Sequence, residues 1–161
     1  MITEWFPEAK TVGLLYCSAE PNSLYQVEKV KAELEKKNIT VNMYSFADTN
    51  ELQNVTQSAA DAVDVLYIPT DNTVAAATGT VYDVCSAAKT PVIAGEEGIC
   101  KGCGVATLSI SYYDLGVTTG EMAAKILKGE ADVAEMAVEY APATKKYNAS
   151  CILINILRIW C

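Results

Sequence analysis

Short apolar runs alternate along this chain with longer segments that carry apolar residues at helical spacing. The apolar runs predict strands near residues 11–16, 40–46, 63–69, 91–94 and 105–110. The spaced segments predict helices near residues 22–37, 49–61, 73–88 and 112–128. Strands that alternate with helices or polar loops imply right-handed crossovers. The predicted fold class is therefore α/β: a three-layer open parallel sheet with helices on both faces.

The ends of the chain are less regular. Residues 1–6 are interpreted as the remnant of a preceding helix, and residues 136–140 as a possible sixth strand. We therefore expect a single α/β domain over residues 1–146 and a tail at 147–161. The apolar stretch 151–161 is typical either of a buried terminal strand or of a sequence foreign to the domain. The last predicted helix should pack four apolar side chains inward: Leu115, Met122, Ile126 and Leu127.

Charge and composition narrow the chemistry. The 161 residues carry a net charge of -8, which disfavours nucleic acid and anionic membranes as partners because both attract clustered Lys and Arg. The absence of histidine removes the commonest general base, the commonest zinc ligand and every Ser-His or Cys-His catalytic arrangement. Neither a GxGxxG nor a GxxxxGK[ST] pattern occurs, so a nucleotide is disfavoured as well. We predict no catalytic site, no metal site and no cofactor.

Two further features bear on location and redox state. The N-terminus lacks a basic region followed by an apolar one, and no stretch has the length of a membrane span, so this chain is expected to be soluble and cytoplasmic as expressed. Most of the six cysteines are expected to be reduced. The pair Cys100 and Cys103 has the spacing of a redox or half-metal site. It is predicted to lie in a Gly-rich turn before a strand, which favours incidental surface thiols.

Three polar loops follow the predicted strands and should meet at one edge of the sheet, where ligands bind in such folds. Helix N-termini in these loops could hold a small carboxylate at Asn22–Ser23 or Asn72–Thr73. Asp71 and Glu96 could then take an ammonium group, which suggests a zwitterionic ligand such as an amino acid. The same residue types are equally typical of ordinary helix caps and turns.

Five motifs occur in a fixed order along the chain: VGLLY at 12–16, SAEPNS at 18–23, VDVLYIPTDNT at 63–73, PVIAGEEG at 91–98 and YYDLG-x3-GEMA at 112–123. Together they resemble the extracytoplasmic substrate-binding proteins of ABC transporters, in particular those for tryptophan or tyrosine uptake, which have the type I periplasmic-binding-protein fold. The resemblance spans roughly residues 5–140. It departs at the CxxC pair, where relatives usually have no cysteine, and it is lost after about Tyr147.

The resemblance implies a protein of two α/β lobes joined by a hinge, with the ligand bound between them. Residues 1–146 would be the second, ligand-binding lobe, and the first lobe, signal peptide and lipid-anchor cysteine would be missing. The parent would then be extracytoplasmic, either a cell-surface lipoprotein or periplasmic. By resemblance, eight residues would face the cleft: Ser18, Glu20, Asn22, Ser23, Asp71, Asn72, Thr73 and Glu96.

Three functions remain open from the sequence. The leading hypothesis is a non-catalytic lobe that captures an amino acid, aromatic by the resemblance, and delivers it to the membrane permease of an ABC transporter. This lobe alone should bind weakly at most, because half of the ligand's contacts are missing. The alternative is the effector-binding domain of a transcriptional regulator of the same fold. A flavodoxin-like or thioredoxin-like enzyme is the third.

Overall fold

The computed structural model describes residues 1–151 and confirms the α/β class. The strands are β1 (Thr11–Cys17), β2 (Thr40–Phe46), β3 (Val65–Ile68), β4 (Val92–Ala94), β5 (Ala106–Ile110) and β6 (Ala143–Tyr147). They form one sheet in the order β2-β1-β3-β4-β5-β6. The first five strands pair in parallel, as predicted, and β6 adds an antiparallel edge.

Helices cover both faces of this sheet. They are α1 (Ile2–Trp5), α2 (Pro21–Glu35), α3 (Thr49–Ala60), α4 (Asn72–Ala75), α5 (Thr78–Ala88), α6 (Glu97–Cys103) and α7 (Tyr112–Leu127). Alternate strand residues point to opposite faces. Leu15 and Leu66 join the core beneath α3, α5 and α6, whereas Leu14 and Val65 join the core beneath α1 and α2. The strands are thus buried on both sides, which explains their nearly continuous apolar sequence.

The predicted single helix over residues 73–88 is wrong, because the structure has two helices there. The break falls at Ala77, whose φ of -133° and ψ of 30° lie outside the helical region. The second helix, α5, begins at Thr78 in close contact with α6. An added Cβ at Gly102 of α6 would overlap the Thr78 side chain. α5 therefore approaches α6 closely at Gly102, where there is no side chain to block the contact.

The predicted strand over residues 136–140 is also wrong. Val138 and Tyr140 are strongly exposed there, and Glu139 forms an ion pair with Lys125. The sixth strand is β6, which contains Lys145 and Lys146 and pairs with β5 at the edge of the sheet. Lysine-rich edge strands are common because they discourage pairing with other chains, and they lack the apolar pattern that reveals interior strands. The two interpretations of 151–161 concern residues after 151, outside the described part.

α7 forms where it was predicted, but its predicted packing is wrong. None of its residues is buried; Leu115, Met122 and Ile126 are half-buried and Leu127 is 88% exposed. Since Ile110 and Ala143 are direct cross-strand partners, the chain leaves the sheet after β5 and returns to the same place in β6. We call residues 111–142 the α7 excursion.

Among the helices that the structure describes, none combines the length and hydrophobicity that crossing a membrane requires.

The CxxC pair does not lie in a turn. Cys100 and Cys103 lie within α6, and both side chains are buried, so the prediction of surface thiols in a Gly-rich turn is wrong. The prediction of a turn rested on the glycines at 98 and 102, which lie within the helix instead. Glu96 caps this helix and stabilises its first turn, and Gly102 serves the contact with Thr78 described above.

Candidate functional site

The three polar loops lie together at the carboxyl edge of the sheet, after β1, β3 and β4. Each loop leads directly into a helix: α2 after β1, α4 after β3 and α6 after β4. β1 lies next to β3, and β3 next to β4, so the loops are neighbours in space. The carboxyl edge of an open parallel sheet is the usual place for a ligand crevice.

Glu20 joins the first loop to the second. Its Oε2 accepts hydrogen bonds from the backbone N and the side-chain Nδ2 of Asn72, both at 2.9 Å, and its Oε1 accepts from the backbone N and Oγ1 of Thr73, both at 2.8 Å. Desolvation of Glu20 opposes ionisation, but these four hydrogen bonds outweigh it and lower the pKa of Glu20 to about 2. A carboxylate from the β1–α2 loop therefore occupies the N-terminus of α4.

Asp71 makes a second link between the same loops. Its Oδ2 accepts from the backbone N of Cys17 at 2.8 Å, and its Oδ1 accepts from the backbone N of Val74 at 2.9 Å. The side chain is 1% exposed, so both oxygens are engaged inside the protein. This carboxylate fastens the end of β1 to the first turn of α4.

The first turns of α2 hold the residue that precedes Asp71. The carbonyl oxygen of Thr70 accepts from Asn22 Nδ2 at 2.9 Å and from Ser23 Oγ at 3.2 Å. The backbone N of Thr70 donates to Gln26 Oε1 at 3.0 Å. The sequence reasoning missed Gln26, although it lies three residues after Ser23 and four after Asn22 on the same side of α2.

Glu96 forms the third loop's contribution and is 9% exposed. Its Oε2 accepts from the backbone N of Gly98 at 2.7 Å, and its Oε1 accepts from the backbone N of Ile99. Gly95, also missed by the sequence reasoning, brings this loop against the second one. An added Cβ there would lie 2.9 Å from the carbonyl carbon of Pro69, so only glycine allows this approach without a shift of the backbone.

The eight predicted residues divide by exposure. Ser18, Asn22 and Asn72 are exposed, Thr73 and Glu20 are half-buried, and the others are buried: Ser23, Asp71 and Glu96. Ser18 lies at the end of β1, where its Oγ donates to the carbonyl of Phe46 at 3.1 Å. The edge therefore presents hydroxyl and amide groups to solvent above carboxylates that are engaged with backbone N–H groups.

Two other features include none of the eight predicted residues, although the first reaches Gly95 of the third loop. An apolar cavity of about 400 Å³ between α2 and the sheet is lined by Leu34, Tyr67 and Ile93, among others, and by none of the eight predicted residues. Burial raises the pKa of Cys100 to about 11 and that of Cys103 further, which disfavours the thiolate form that reacts. Within residues 1–151, no three cysteine or carboxylate side chains are grouped so that they could hold a metal ion.

The family model and the relatives that are more than 30% identical to this chain agree on one family. The family model for ABC transporter substrate binding proteins matches residues 1–152. The chain is 34% identical over 124 residues to a tyrosine-binding protein of Clostridioides difficile, covering 77% of this chain and 36% of that relative. An ABC domain from Streptococcus pneumoniae in complex with L-Trp matches with a TM-score of 0.82 and 34% identity, covering 94% of this chain and 52% of the other.

A second solved structure shows the same relation. It is the ligand-free, open form of a substrate-binding protein with adhesive properties from Clostridium difficile, with a TM-score of 0.80 and 35% identity. The match covers 96% of this chain and 52% of that protein. The chain therefore spans about half the length of these solved relatives.

Proposed function

The chain belongs to the family of ABC transporter substrate-binding proteins, and from this we propose that its carboxyl edge forms one half of a cleft that captures an amino acid. The proposal is for binding without catalysis. The observation that carries it is the set of loops tied together by Glu20, Asp71 and Thr70, which leaves polar groups exposed at the usual ligand edge of the fold.

The chemistry of this edge favours a ligand with an ammonium group. Glu20 is ionised at neutral pH because its pKa is about 2, and no Lys or Arg forms an ion pair with it in residues 1–151. Asn22 and Asn72 are exposed beside it, and each has an amide oxygen that can accept a further hydrogen bond. We propose that these oxygens hold the ammonium group and that the negative charge of Glu20 behind them attracts it.

The ligand's carboxylate needs donors, and this edge offers fewer of them. The backbone N–H groups of Asn72 and Thr73 are engaged by Glu20, and the Ser18 hydroxyl donates to the Phe46 carbonyl. The exposed donors are therefore the second N–H groups of the Asn22 and Asn72 side-chain amides. We propose that Ser18, Asn22, Asn72 and Thr73 contact the ligand, whereas the other four residues shape the loops: Glu20, Ser23, Asp71 and Glu96. Most carboxylate contacts would then come from the other half of the cleft.

The proposed ligand is an aromatic amino acid. Its support is the tyrosine-binding relative and the relative in complex with L-Trp, both 34% identical to this chain. The side chain of such a ligand would be enclosed mainly by the other half. Family membership favours this receptor function over the effector domain of a regulator and over an enzyme.

The proposed partner within the parent protein is a second lobe, and the α7 excursion is the surface that supports it. Within the excursion, Tyr113, Leu127, Val133, Val138 and Tyr140 are all more than 70% exposed. Large apolar side chains that cluster on a surface usually mark an interaction site. We propose that this excursion packs on the other lobe, and that the parent is an extracytoplasmic protein that delivers its ligand to a membrane permease.

A titration followed by ¹H–¹⁵N correlation spectra tests the ligand proposal on this chain. L-tryptophan and L-tyrosine should shift the amide signals of residues 18–20, 22–23 and 70–73 with weak, millimolar affinity, because half of the contacts are missing. Indole-3-propionate, which lacks the ammonium group, should shift them much less. The variant Asn72→Ala should weaken the shifts, and the exposed Asn54→Ala on α3 is the matched control. Equal shifts with indole-3-propionate would refute the proposed role of the ammonium group.

A further inference from the structure

The backbone of Thr70 is held on both sides by one helix. Gln26 Oε1 accepts from its N–H at 3.0 Å, and its carbonyl oxygen accepts from Asn22 and Ser23 at 2.9 and 3.2 Å. Thr70 lies between the end of β3 and the start of α4, in a stretch without regular backbone pairing. Buried or half-buried backbone groups in such stretches need side-chain partners.

The conformation of Thr70 determines where its neighbours lie. Asp71 follows directly and reaches both Cys17 and Val74, and Asn72 comes next and meets Glu20. A rotation of the Thr70 peptide would therefore move the exposed amide of Asn72 and disturb the hydrogen bonds of Glu20. The exposed groups of the candidate site depend on this one peptide.

Gln26 differs from the other two side chains that hold Thr70. Asn22 is exposed and was predicted to contact the ligand, whereas Gln26 is half-buried and lies one turn further from the start of α2. Gln26 contributes one acceptor, which binds the Thr70 N–H. A hydroxyl or amide of a ligand at the exposed edge does not take the place of this acceptor. Its role is therefore present before any ligand arrives.

We propose that Gln26 is a positioning residue of the binding site: it fixes the Thr70 peptide and thereby keeps residues 70–73 in their ligand-ready arrangement. This inference rests on the proposed function for its effect on ligand affinity. Its effect on the ligand-free loop is independent of that function. An acceptor at position 26 is required, and the rest of the glutamine side chain is not.

Hydrogen exchange of the ligand-free chain tests the inference directly. In Gln26→Met, which keeps the length of the side chain and removes the acceptor, the Thr70 N–H should exchange about fivefold faster, since a lost hydrogen bond of ordinary strength corresponds to that factor. Gln26→Glu retains an acceptor and should restore slow exchange. Gln57→Met is the matched control, because Gln57 of α3 donates to Asp61, just after the helix, at 2.8 Å. If Gln26→Met does not fold, Gln26→Ala gives the same comparison, since it also removes the acceptor.

Titration with L-tryptophan provides the second measurement. The affinity should fall several-fold in Gln26→Met and recover in Gln26→Glu, with strand amides such as Leu66 unchanged in exchange rate. Unchanged exchange at Thr70 in Gln26→Met would overturn the inference, as would equal acceleration at Thr70 and Leu66, which indicates a general loss of stability. If the unmodified chain shows no shifts with L-tryptophan, the proposed function fails, whereas the exchange result still decides the role of Gln26.

Discussion

Excision of α7 is the sharpest test of how this chain divides into parts. Ile110 and Ala143 are cross-strand partners, so the two strands already meet where the excursion begins and ends. Replacing residues 112–140 with Asn-Gly leaves Ser111, Ala141 and Pro142 in a loop of about five residues, a length that commonly joins antiparallel strands. The variant keeps Ala141, which is buried, and removes α7 completely.

The expected change in the free energy of unfolding is small. If α7 packed on the sheet, loss of Leu115, Met122 and Ile126 would cost about 1.5–3 kcal/mol for each side chain, together most of the stability of a typical domain. In the structure no residue of α7 is buried, and the ion pair of Lys125 with Glu139 lies within the excised segment. The shorter loop also recovers about 1–2 kcal/mol of closure entropy. The excised protein should therefore be as stable as the full chain or slightly more stable.

Urea unfolding followed by circular dichroism measures this difference in stability. Light scattering measures the accompanying change in self-association of the protein. The excised protein should also bind less of the dye ANS, since Tyr113, Leu127 and Val138 are gone. A destabilisation of more than about 4 kcal/mol, or failure to fold, would show that α7 contributes to the core of the sheet. That result would refute both the excursion and its proposed contact with a second lobe.

Three further predictions concern buried and half-buried groups. Because the pKa of Glu20 falls from 4.5 to about 2 on folding, its contribution to stability is complete above pH 4.5 and is lost as the pH falls towards 2; it is at most about 3 kcal/mol. Glu20→Gln should remove this part of the pH dependence of urea unfolding, and an unchanged acid limb would contradict it. Asp71→Asn should destabilise the protein by about 1–3 kcal/mol in urea at pH 7, because one backbone N–H loses its acceptor; no change would refute the assigned bridge. Cys100 and Cys103 should resist iodoacetamide in the native chain and react after unfolding, as peptide mapping would show, and rapid native alkylation would contradict their burial.

The sequence was sufficient for the interior of the sheet because burial on both faces leaves a local pattern. β3 is an example, because Val65–Ile68 is apolar throughout. Two of its side chains pack into the core on one face of the sheet and two into the core on the other. β6 left no such pattern, because an edge strand needs only one partner and can carry lysines. The face of α7 was visible in its spacing, but spacing identifies an apolar face without saying whether its partner lies in the same chain.

The position of the three polar loops was predictable from the sequence, whereas the hydrogen-bond partners of their side chains were not. Loops after β1, β3 and β4 must share an edge, so topology alone gathered them. Glu20 occupies the N-cap position of α2 yet makes no side-chain bond there; it caps α4 instead, across a separation of 52 residues. Local capping rules cannot reveal such a contact, because they relate a residue only to those two or three positions away.

This long-range capping has a consequence for binding. The carboxylates of Glu20 and Asp71 and the carbonyl of Thr70 tie two loops together with bonds that need no ligand. Ordering a mobile loop would lower affinity, and loops that are already ordered avoid that loss. One half of the proposed cleft is thus formed in advance. Most of the conformational change on binding should then be movement of the two halves relative to each other rather than rearrangement within this one.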